Sequence, residues 1–365
     1  MPLTAIKTSN LDTTNSLFFR NRIINGDMRI DQRNAGAAVT VNADAAFFAS
    51  DRFQAAGQGT DGVYTIQQST VAPAGFVNSI VATVTTADAS IGSTQQYNIQ
   101  QHIEGLNCSD LGWGTANAQT VTLSFWVRSS VTGTFSGALR NSAANRSYPF
   151  TYTINAANTW EKETITIAGD TSGTWLTTNG IGVNVIWTLG AGTGRLGTAN
   201  SWQGANYQGV TGQTQLISTV GATFYLTGVQ LEIGTAATAF EYRPYGLELQ
   251  LCQRYCWVMS GNGLYYPRQH VDAISTTTGI WYVQYPVVFR ALPSLTTKNV
   301  SSSTIEMSNH VNGAAPSLSS VTFGESAFES GFVNMNAASG FTAGSNGHWR
   351  WIGGPDANFT FSAEL

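Results

Sequence analysis

Charge is scarce in this sequence: only 10% of its 365 residues are Asp, Glu, Lys or Arg, against roughly 25% in ordinary soluble domains. No basic run is present and the formal net charge is −4, which argues against nucleic acid as a ligand because that ligand needs clustered Lys and Arg. The chain is not of the disordered kind, since 42% of it is hydrophobic and 11% aromatic, enough apolar area to form cores. We expect a folded protein whose partner is an uncharged, hydroxyl-rich molecule or another protein.

Cysteine is nearly absent as well. Three cysteines, Cys108, Cys252 and Cys256, are too few for a disulfide framework and fit folding in a reducing cytoplasm. Cys252 and Cys256 are four residues apart rather than in the C-x-x-C spacing of redox and zinc sites, so we expect buried thiols on a helix. The histidines are scattered without metal-ligand spacing: they are His102, His270, His310 and His348.

Long hydrophobic runs are also missing. No segment approaches the roughly 18 apolar residues of a membrane span, and the first residues, MPLTAIKTSN, contain no apolar region of the kind a secretion signal has. We therefore expect neither membrane insertion nor secretion. A protein of this kind that works outside a cell would reach its place by another route.

The residues that are abundant suit strands joined by tight turns. The chain has 38 Gly and many Thr, Ser, Asn and Gln; Thr and aromatic residues fit a pleated strand, and Gly, Asn and Ser fit its corners. Apolar and polar residues alternate in segments at sandwich-like spacing, with no helical crossover between them. The segments are GVYTIQQS, QYNIQQHIEGL, TVTLSFWVRSS, SYPFTYTI, WEKETITIAG, GIGVNVIWTLG and TFYLTGVQLEIG, and later WYVQYPVVFR, STIEMSN, FVNMNA and FTFSAEL. This pattern predicts an all-β protein.

The length of the chain exceeds what one hydrophobic core usually supports, so we predict two domains. Residues 1–20 are polar and without a clear period, and we interpret them as an arm. Alternation begins in NRIINGDMRID, interpreted as the first strand, and the first domain extends over residues 21–245. Residues 246–365 would form a short helix and then a second, smaller β-sandwich.

The segment AFEYRPYGLELQLCQRYC, residues 239–256, differs in character from the rest of the chain. Leu247, Leu251 and Tyr255 recur at the spacing of a helical stripe, although LELQL also alternates with the period of a strand. Pro244 should interrupt the chain before the helix begins. We favour a short helix that connects the two sandwiches.

The strand TLSFWVRSS carries the first candidate for a binding surface. Leu123, Phe125 and Val127 share one face, which a sandwich would bury. Trp126 and Arg128 then share the other face. A Trp beside an Arg on an outward face is not a core residue by default, so the pair is a candidate contact.

Several unusual blocks occur together and in order: NRIINGDMRIDQRNAG, the Asp-Arg pair of SDRF, QQHIEGLNCSDLGWGTANAQTVTLSFWVRSS, FYLTGVQLEIG and FEYRPYGLELQLCQRY. On these blocks the chain, from about Asn21 to Tyr255, resembles a family of bacteriophage tail-fibre and appendage proteins. The main domain of that family is similar to the jelly-roll carbohydrate-binding modules of polysaccharide-degrading enzymes. The resemblance implies a jelly-roll β-sandwich over residues 21–245 and brings no motif of catalytic residues.

The resemblance also implies a location and partners. It implies a non-enzymatic tail-fibre or tail-tip adhesin, a homotrimer assembled in the host cytoplasm. Residues 1–20 would dock onto a phage tail or baseplate protein, and the body would bind a glycan or receptor on the host surface. Two alternatives stay open: a purely structural baseplate, neck or capsid decoration protein, and a polysaccharide depolymerase.

Candidate glycan contacts are aromatic rings, which stack on the C–H faces of sugars, and amides, which bind hydroxyl groups. Several lie in the long Gly-rich connection between Leu189 and Thr211, of a length that is usually functional or mobile. Trp187 is the least suited, because Val183 and Val185 share its strand face. The candidates are Trp126, Arg128, Trp187, Trp202, Asn206, Tyr207, Tyr265 and Tyr266.

Three tryptophans of the second domain, Trp281, Trp349 and Trp351, have rings equally able to contact a receptor. In HWRWIGG, however, the two later tryptophans alternate with His348 and Arg350. That alternation favours a packed strand over a binding strip.

Two pairs of carboxylates are weaker candidates. Carbohydrate-binding jelly rolls often hold a structural Ca²⁺, and Asp27 and Glu232, on the first and last strands, could approach each other. The six or more oxygens that Ca²⁺ requires cannot be identified, so ordinary hydrogen bonds are the alternative. Glu161 and Glu163 share a strand face as a glycosidase pair could. They flank Lys162, and the three are better interpreted as solvated charges on an edge strand.

Overall fold

The computed structural model describes residues 19–42, 46–59, 61–260, 269–309, 313, 315–352 and 357–365. Its chain divides into two compact units, Met1–Arg243 and Pro244–Leu365, here called unit 1 and unit 2. Of the predicted arm, only Phe19 and Arg20 lie among the described residues.

The described residues are almost entirely strands and loops, so the all-β prediction is confirmed. The strands of unit 1 are β1 Val39–Val41, β2 Ala46–Ser50, β3 Phe53–Gln58, β4 Val63–Ser69, β5 Ser79–Thr86, β6 Gln96–Glu104, β7 Val121–Ser129, β8 Gly133–Arg140, β9 Ser147–Ile154, β10 Glu161–Ile167, β11 Ile181–Ala191, β12 Leu196–Gly197, β13 Gly209–Val210 and β14 Thr223–Ile233. The elements of unit 2 are α1 Tyr245–Gln253, β15 Cys256–Ser260, β16 Gln269–Ala273, β17 Thr278–Gln284, β18 Ser294–Lys298, β19 Ile305–Asn309, β20 Leu318–Ser326, β21 Ser330–Ala337, β22 Asn346–Trp351 and β23 Asn358–Ser362.

Unit 1 is a jelly-roll β-sandwich of two six-stranded sheets. Sheet A has the strand order β1-β4-β5-β14-β7-β10, and sheet B has the order β2-β3-β6-β11-β8-β9. The strand pairs within both sheets are antiparallel. Their inner faces form one core around large rings that are fully buried, including Phe53, Phe125, Phe135, Trp187 and Phe224.

The segment NRIINGDMRID is not a strand, contrary to the prediction. Its alternation of burial is as predicted, since Met28 and Ile30 are buried and Arg29 and Asp31 are only partly so. The backbone instead turns at Asn25, which has a positive φ of 59°. The Asn25 amide replaces a strand partner by donating to the Ile30 carbonyl at 2.8 Å and to the Asp51 carbonyl at 2.9 Å.

Unit 2 is a smaller β-sandwich. Sheet C has the order β19-β22-β16-β17-β21-β20, and sheet D has the order β15-β23-β18. Trp349 and Trp351 on β22 are both 0% exposed, which confirms the packed strand predicted for HWRWIGG. Trp281 on β17 is buried beside them, with its ring centroid 4.9 Å from that of Trp349. None of the three can contact a receptor.

The predicted short helix is confirmed as α1, which begins after Pro244, and Tyr255 of the predicted stripe is buried, but Leu247 is not. Leu247 is 47% exposed, whereas Glu248 and Cys252, one turn apart, are buried. A prediction from hydrophobicity alone places a glutamate on the solvent side of a helix. It therefore buried Leu247 instead of Glu248. Both thiols are buried as predicted, but only Cys252 lies on the helix, because the helix ends at Gln253 and Cys256 begins β15.

Candidate functional site

Strand β7 presents its side chains as the sequence predicted. Leu123, Phe125 and Val127 are each 0% exposed, while Trp126 and Arg128 are partly exposed on the opposite face. That face is the outer surface of sheet A. The fold therefore places a tryptophan and an arginine side by side on an open sheet surface.

Two further aromatic residues join Arg128 on this surface. Tyr225 of β14 lies directly opposite Arg128 in the antiparallel register. The Arg128 guanidinium lies over the Tyr225 ring at 5.0 Å, and its Nε donates to the Asn158 carbonyl at 2.9 Å. Trp160 approaches the same tyrosine edge-on, with ring centroids 6.0 Å apart. The Arg128 guanidinium is thus held between the Tyr225 ring and the Asn158 carbonyl.

A glycine positions Trp126. Gly228 lies at a register shift between β14 and β7 and has a positive φ of 61°, which side chains rarely adopt. A Cβ built on Gly228 would come within 2.7 Å of the Phe76 ring and 2.9 Å of Trp126 Cδ1. The absence of a side chain at this bulge allows the two rings to lie over the β14 backbone.

We call Trp126, Arg128, Trp160 and Tyr225 the aromatic face. All four side chains are partly exposed, and Lys162 lies opposite Trp126 on the edge strand β10. Rings on a flat sheet can stack on the C–H faces of a sugar, and a guanidinium can donate to hydroxyl groups. Trp160 and Tyr225 were not among the predicted contacts. The alternation in TFYLTGV, with Phe224 and Leu226 both 0% exposed, is the signal that places Tyr225 outward.

The outer surface of sheet B is polar but covered by the connection between β11 and β14. The Asn98 amide donates to Gln208 Oε1 at 2.8 Å, and the Ser136 hydroxyl bonds Gln213 Oε1. All four side chains are buried, with Asn98 and Ser136 each at 0% exposure. The chain's own loop occupies this part of sheet B, whereas sheet A is partly exposed around Trp126 and Arg128.

Two predicted contacts, Asn206 and Tyr207, belong to this covering loop. Asn206 Oδ1 accepts from Arg140 Nη1 at 2.6 Å, and burial lowers the pKa of that arginine to about 10. The Tyr207 ring lies on Gly197, where a Cβ would come within 2.7 Å of it. Both residues are partly exposed; Asn206 contributes to holding the loop on its sheet through Arg140 of β8, whereas the Tyr207 ring packs within the loop itself.

Trp202 is part of an aromatic cluster that anchors loops at one place on unit 1. Its ring centroid lies 5.3 Å from those of Trp113 and Trp175, which are both buried. Its Nε1 donates to the Ala168 carbonyl at 2.7 Å. The other two indoles also donate to backbone carbonyls, those of Gln119 and Ser172. Trp202 remains partly exposed, but its polar edge is committed to the fold.

The prediction that Trp187 contacts a ligand is wrong, because this side chain is 0% exposed. Val183 and Val185 share its face of β11, and the indole packs against Phe125 and Phe53 at centroid distances of 5.7 and 6.3 Å. A ring enclosed by the two sheets cannot reach a ligand. The two remaining candidates, Tyr265 and Tyr266, lie outside the described residues.

The two carboxylates proposed for Ca²⁺ are buried and already have protein partners. Asp27 lies in a turn rather than a strand and forms an ion pair with Arg29 Nε. Burial raises the pKa of Asp27 despite that arginine. Glu232 accepts from the Thr238 backbone N–H at 2.9 Å and hydroxyl at 2.6 Å, and Arg20 lies 3.6 Å away. These contacts are the ordinary hydrogen bonds weighed as the alternative to a metal site.

Glu161 and Glu163 lie on β10, which is an edge strand of sheet A as predicted. Glu161 accepts three hydrogen bonds of 2.6–2.9 Å from Asn155 and Ala156. Burial opposes ionisation of Glu161, but these donors hold its pKa below the ordinary value. Burial, and next the charge of Glu161, raise the pKa of Glu163. Glu161 thereby closes the turn between β9 and β10.

Cys108 is a further titratable candidate of unit 1, and its thiol is buried. Burial raises the pKa of the Cys108 thiol to about 12, which keeps it protonated at neutral pH.

On sheet C the fold brings His270 opposite His348, although the two are far apart in sequence, and His270 Nε2 lies 2.8 Å from Asp272 Oδ1. Among the described residues, no three His, Cys, Asp or Glu side chains come together as a metal site would require. No helix in the described part of the chain has the length and apolar character needed to cross a membrane.

No protein-family model and no curated protein matches the sequence. Several solved structures align with it. One is the enzymatically active domain of bacteriophage CBA120 tailspike protein 4, at 13% identity and a TM-score of 0.32, over 59% of this chain and 22% of that one. A putative sugar binding protein from Bacteroides thetaiotaomicron aligns at 13% identity and a TM-score of 0.34, over 59% of this chain and all of that one. A family 11 carbohydrate-binding module from Clostridium thermocellum aligns at 11% identity and a TM-score of 0.27, over 56% and 100% of the two chains.

Proposed function

We propose that this protein is a non-enzymatic component of a bacteriophage virion, a tail-fibre or tail-tip adhesin that binds polysaccharide on the host surface. The aromatic face carries the proposal. It displays two indoles and a phenol ring on an open sheet, with Arg128 fixed among them by Tyr225 at 5.0 Å and by Asn158 at 2.9 Å. Rings held in this way lose little conformational freedom when a sugar stacks on them.

The virion location, the homotrimer and the docking of residues 1–20 onto a tail or baseplate protein rest on the sequence resemblance. Assembly would take place in the host cytoplasm. Many copies on one particle would raise the avidity of weak sugar contacts by ~10²–10⁴ through effective concentration. We expect light scattering to give a mass near three times 38.9 kDa; a monomer at micromolar concentration would contradict the trimer.

Competition for adsorption tests the binding function. Purified full-length protein should occupy host cells and their extracted polysaccharide, whereas Trp126→Ala and Trp160→Ala should each weaken that binding about tenfold. Tyr245→Ala is the matched control, because Tyr245 is a 55% exposed ring on α1 of unit 2 and lies outside the aromatic face. Equal binding by all four proteins would refute the role of the aromatic face. Shortening of the polysaccharide during incubation would instead reveal a depolymerase.

A purely structural role in a baseplate, neck or capsid is the second candidate, and an exposed apolar patch favours it. Val77 is 69% exposed and Tyr242 55% exposed, and Phe76 and Phe240 lie beside them with ring centroids 5.1 Å apart. Contiguous exposed apolar surface of this kind often marks protein–protein contacts. If Tyr242→Ala prevents incorporation into particles while polysaccharide binding is absent from the wild-type chain, the structural role replaces the adhesive one.

A further inference from the structure

A second open surface lies on unit 2, independent of the aromatic face. On the outer side of sheet C, Tyr282 of β17 lies opposite Phe332 of β21, and their ring centroids are 6.3 Å apart. The Tyr282 side chain is 61% exposed. The two rings border a groove of about 510 Å³, within the roughly 300–1,000 Å³ of typical ligand sites. We call it the distal groove; polar side chains also line it, those of Gln284, Glu325, Ser326 and Ser330.

Two glycines position the walls of the distal groove: Gly331, which lines it, and Gly324, which lies under the Phe332 ring. The Phe332 ring packs directly on Gly324, where a Cβ would collide with it, and a Cβ at Gly331 would come within 2.6 Å of the Tyr285 hydroxyl. That hydroxyl lies 3.2 Å from Ser326 Oγ and so fixes a wall residue. Side chains at either glycine would displace these groups, so the depression is part of the fold and depends on residue type.

The polar side chains next to the two rings form a ladder across neighbouring strands. The Asn334 amide donates to Thr322 Oγ1 at 3.3 Å, and the Asn336 amide donates to Ser320 Oγ at 3.3 Å. Both bonds are long and exposed, so these groups can exchange them for hydroxyl groups of a ligand. An aromatic platform followed by amides and hydroxyls suits an extended saccharide.

The charge of the distal groove selects among saccharides. Glu325 is exposed and takes part in none of the ion pairs formed among the described residues. Arg350, a cation of the same sheet, is paired with Glu306 at 2.9 Å. A carboxylate beside two ring faces attracts an ammonium group, both by charge and by the cation–π interaction. An acidic sugar would be repelled.

We infer that the distal groove is a binding site for a glycan that carries free amino groups. A sugar ring stacks on Tyr282 and Phe332, its ammonium group pairs with Glu325, and the following sugars lie along the Asn334 and Asn336 ladder. This site is separate from the aromatic face, and the inference does not depend on the function proposed for unit 1.

A glucosamine hexamer is the probe, titrated calorimetrically into the full-length chain at pH 6 and low salt. Comparators are the N-acetylglucosamine hexamer, which lacks the charge, and a galacturonic acid hexamer, which reverses it. We expect the glucosamine hexamer to bind best and the galacturonic acid hexamer not to bind. Tyr282→Ala should weaken binding about tenfold, and Glu325→Gln about fivefold with loss of the salt dependence.

Phe328→Ala is the matched control, since Phe328 is a 45% exposed ring that does not line the groove. Trp126→Ala tests the other unit. Both should bind the glucosamine hexamer as the wild-type chain does. The inference is overturned if the wild-type chain fails to bind that probe, if Tyr282→Ala and Glu325→Gln bind it unchanged, or if Trp126→Ala alone abolishes binding, which would assign the probe to the aromatic face.

Discussion

The aromatic face of unit 1 and the distal groove of unit 2 both display rings on the outer side of a six-stranded sheet, but they hold those rings differently. Tyr225 lies between the Arg128 guanidinium at 5.0 Å and the edge of Trp160 at 6.0 Å. Tyr282 is 61% exposed and has Phe332 as its aromatic neighbour, at 6.3 Å. The aromatic face is therefore a preorganised platform, and the distal groove keeps one ring free to adjust to what it binds.

The comparison also shows how little sequence separates a core ring from a surface ring. Trp281 and Tyr282 are consecutive on β17, and their side chains point to opposite faces of sheet C. Trp281 is 2% exposed and packs against Trp349, whereas Tyr282 is 61% exposed. Strand alternation alone assigns one ring to stability and the other to contact.

We expect the largest effect on stability when Trp281 and Tyr282 are replaced one at a time, which tests that assignment directly. Trp281→Ala should lower the free energy of unfolding of unit 2 by about 3–5 kcal/mol, because it leaves a large cavity in the core. Tyr282→Ala should change it by no more than about 0.5 kcal/mol, as surface substitutions do. Denaturant titration of the two full-length variants measures both. Similar losses in the two variants would mean that Tyr282 is a structural residue, and the distal groove would lose its main contact.

The next largest effect is expected at Gly228, the bulge residue beside Trp126 of the aromatic face. Gly228→Ala should cost about 1–3 kcal/mol, because alanine must adopt a positive φ and its Cβ meets Phe76 and Trp126. Displacement of Trp126 should also weaken polysaccharide binding. Gly212→Ala is the control: its φ is also positive, at 87°, but a Cβ there meets nothing within 4 Å. Should both variants lose stability and binding equally, backbone strain and not ring placement would be the cause.

A smaller effect tests whether the platform is preorganised. Arg128→Lys keeps the charge but loses the planar stacking on Tyr225 and the Nε donor to Asn158. Cation–π contacts at exposed sites contribute ~0.5–1 kcal/mol, so the free energy of unfolding should fall by about that much. Polysaccharide binding should fall about threefold, because the tyrosine ring is then less well held before the sugar binds. Tighter binding in the lysine variant would show that fixation of the tyrosine hinders the ligand.

Strand alternation made much of the sheet architecture predictable, including the outward Trp126 and Arg128 and the buried Trp349 and Trp351. Helical spacing predicted the short helix. Strand β8 was not predicted because it begins with Gly133 and contains Gly137, and glycine in a sequence indicates a turn. In the structure, a Cβ at Gly137 would come within 2.6 Å of the Phe150 ring, so this glycine is required by packing inside a strand.

The site was less predictable than the fold, because its geometry comes from residues distant in sequence. Tyr225 meets Arg128 through the pairing of β14 with β7, and Trp160 reaches Tyr225 because β10, which it precedes, pairs with β7 as well; no local pattern reveals either pairing. Trp202 has the composition of a binding residue, yet its Nε1 is committed to the Ala168 carbonyl at 2.7 Å. Burial and hydrogen bonding, rather than residue type, decide which rings remain available.

The smallest expected effect is a difference in the pH dependence of stability between Glu161 and Glu163, which lie on β10, the edge strand beside the aromatic face. Donors from Asn155 and Ala156 hold the pKa of Glu161 below its ordinary value near 4.5, so Glu161 stabilises the fold above that pH and the contribution is lost as pH falls below it. Burial, and next Glu161, raise the pKa of Glu163, so its contribution has the opposite sign: it is present when the group is protonated and lost as pH rises through the raised pKa.

At pH 7 we therefore expect Glu161→Gln to lower the unfolding midpoint and Glu163→Gln to raise it. Both differences should shrink on acidification, because the wild-type side chains then become neutral as well. Thermal unfolding of the two variants between pH 3 and pH 7 measures the contrast. If Glu161→Gln were harmless at pH 7, the turn between β9 and β10 would not depend on the carboxylate. The contacts of Asn158 with Arg128 and Ser129 would then be what holds the turn, and with it Trp160.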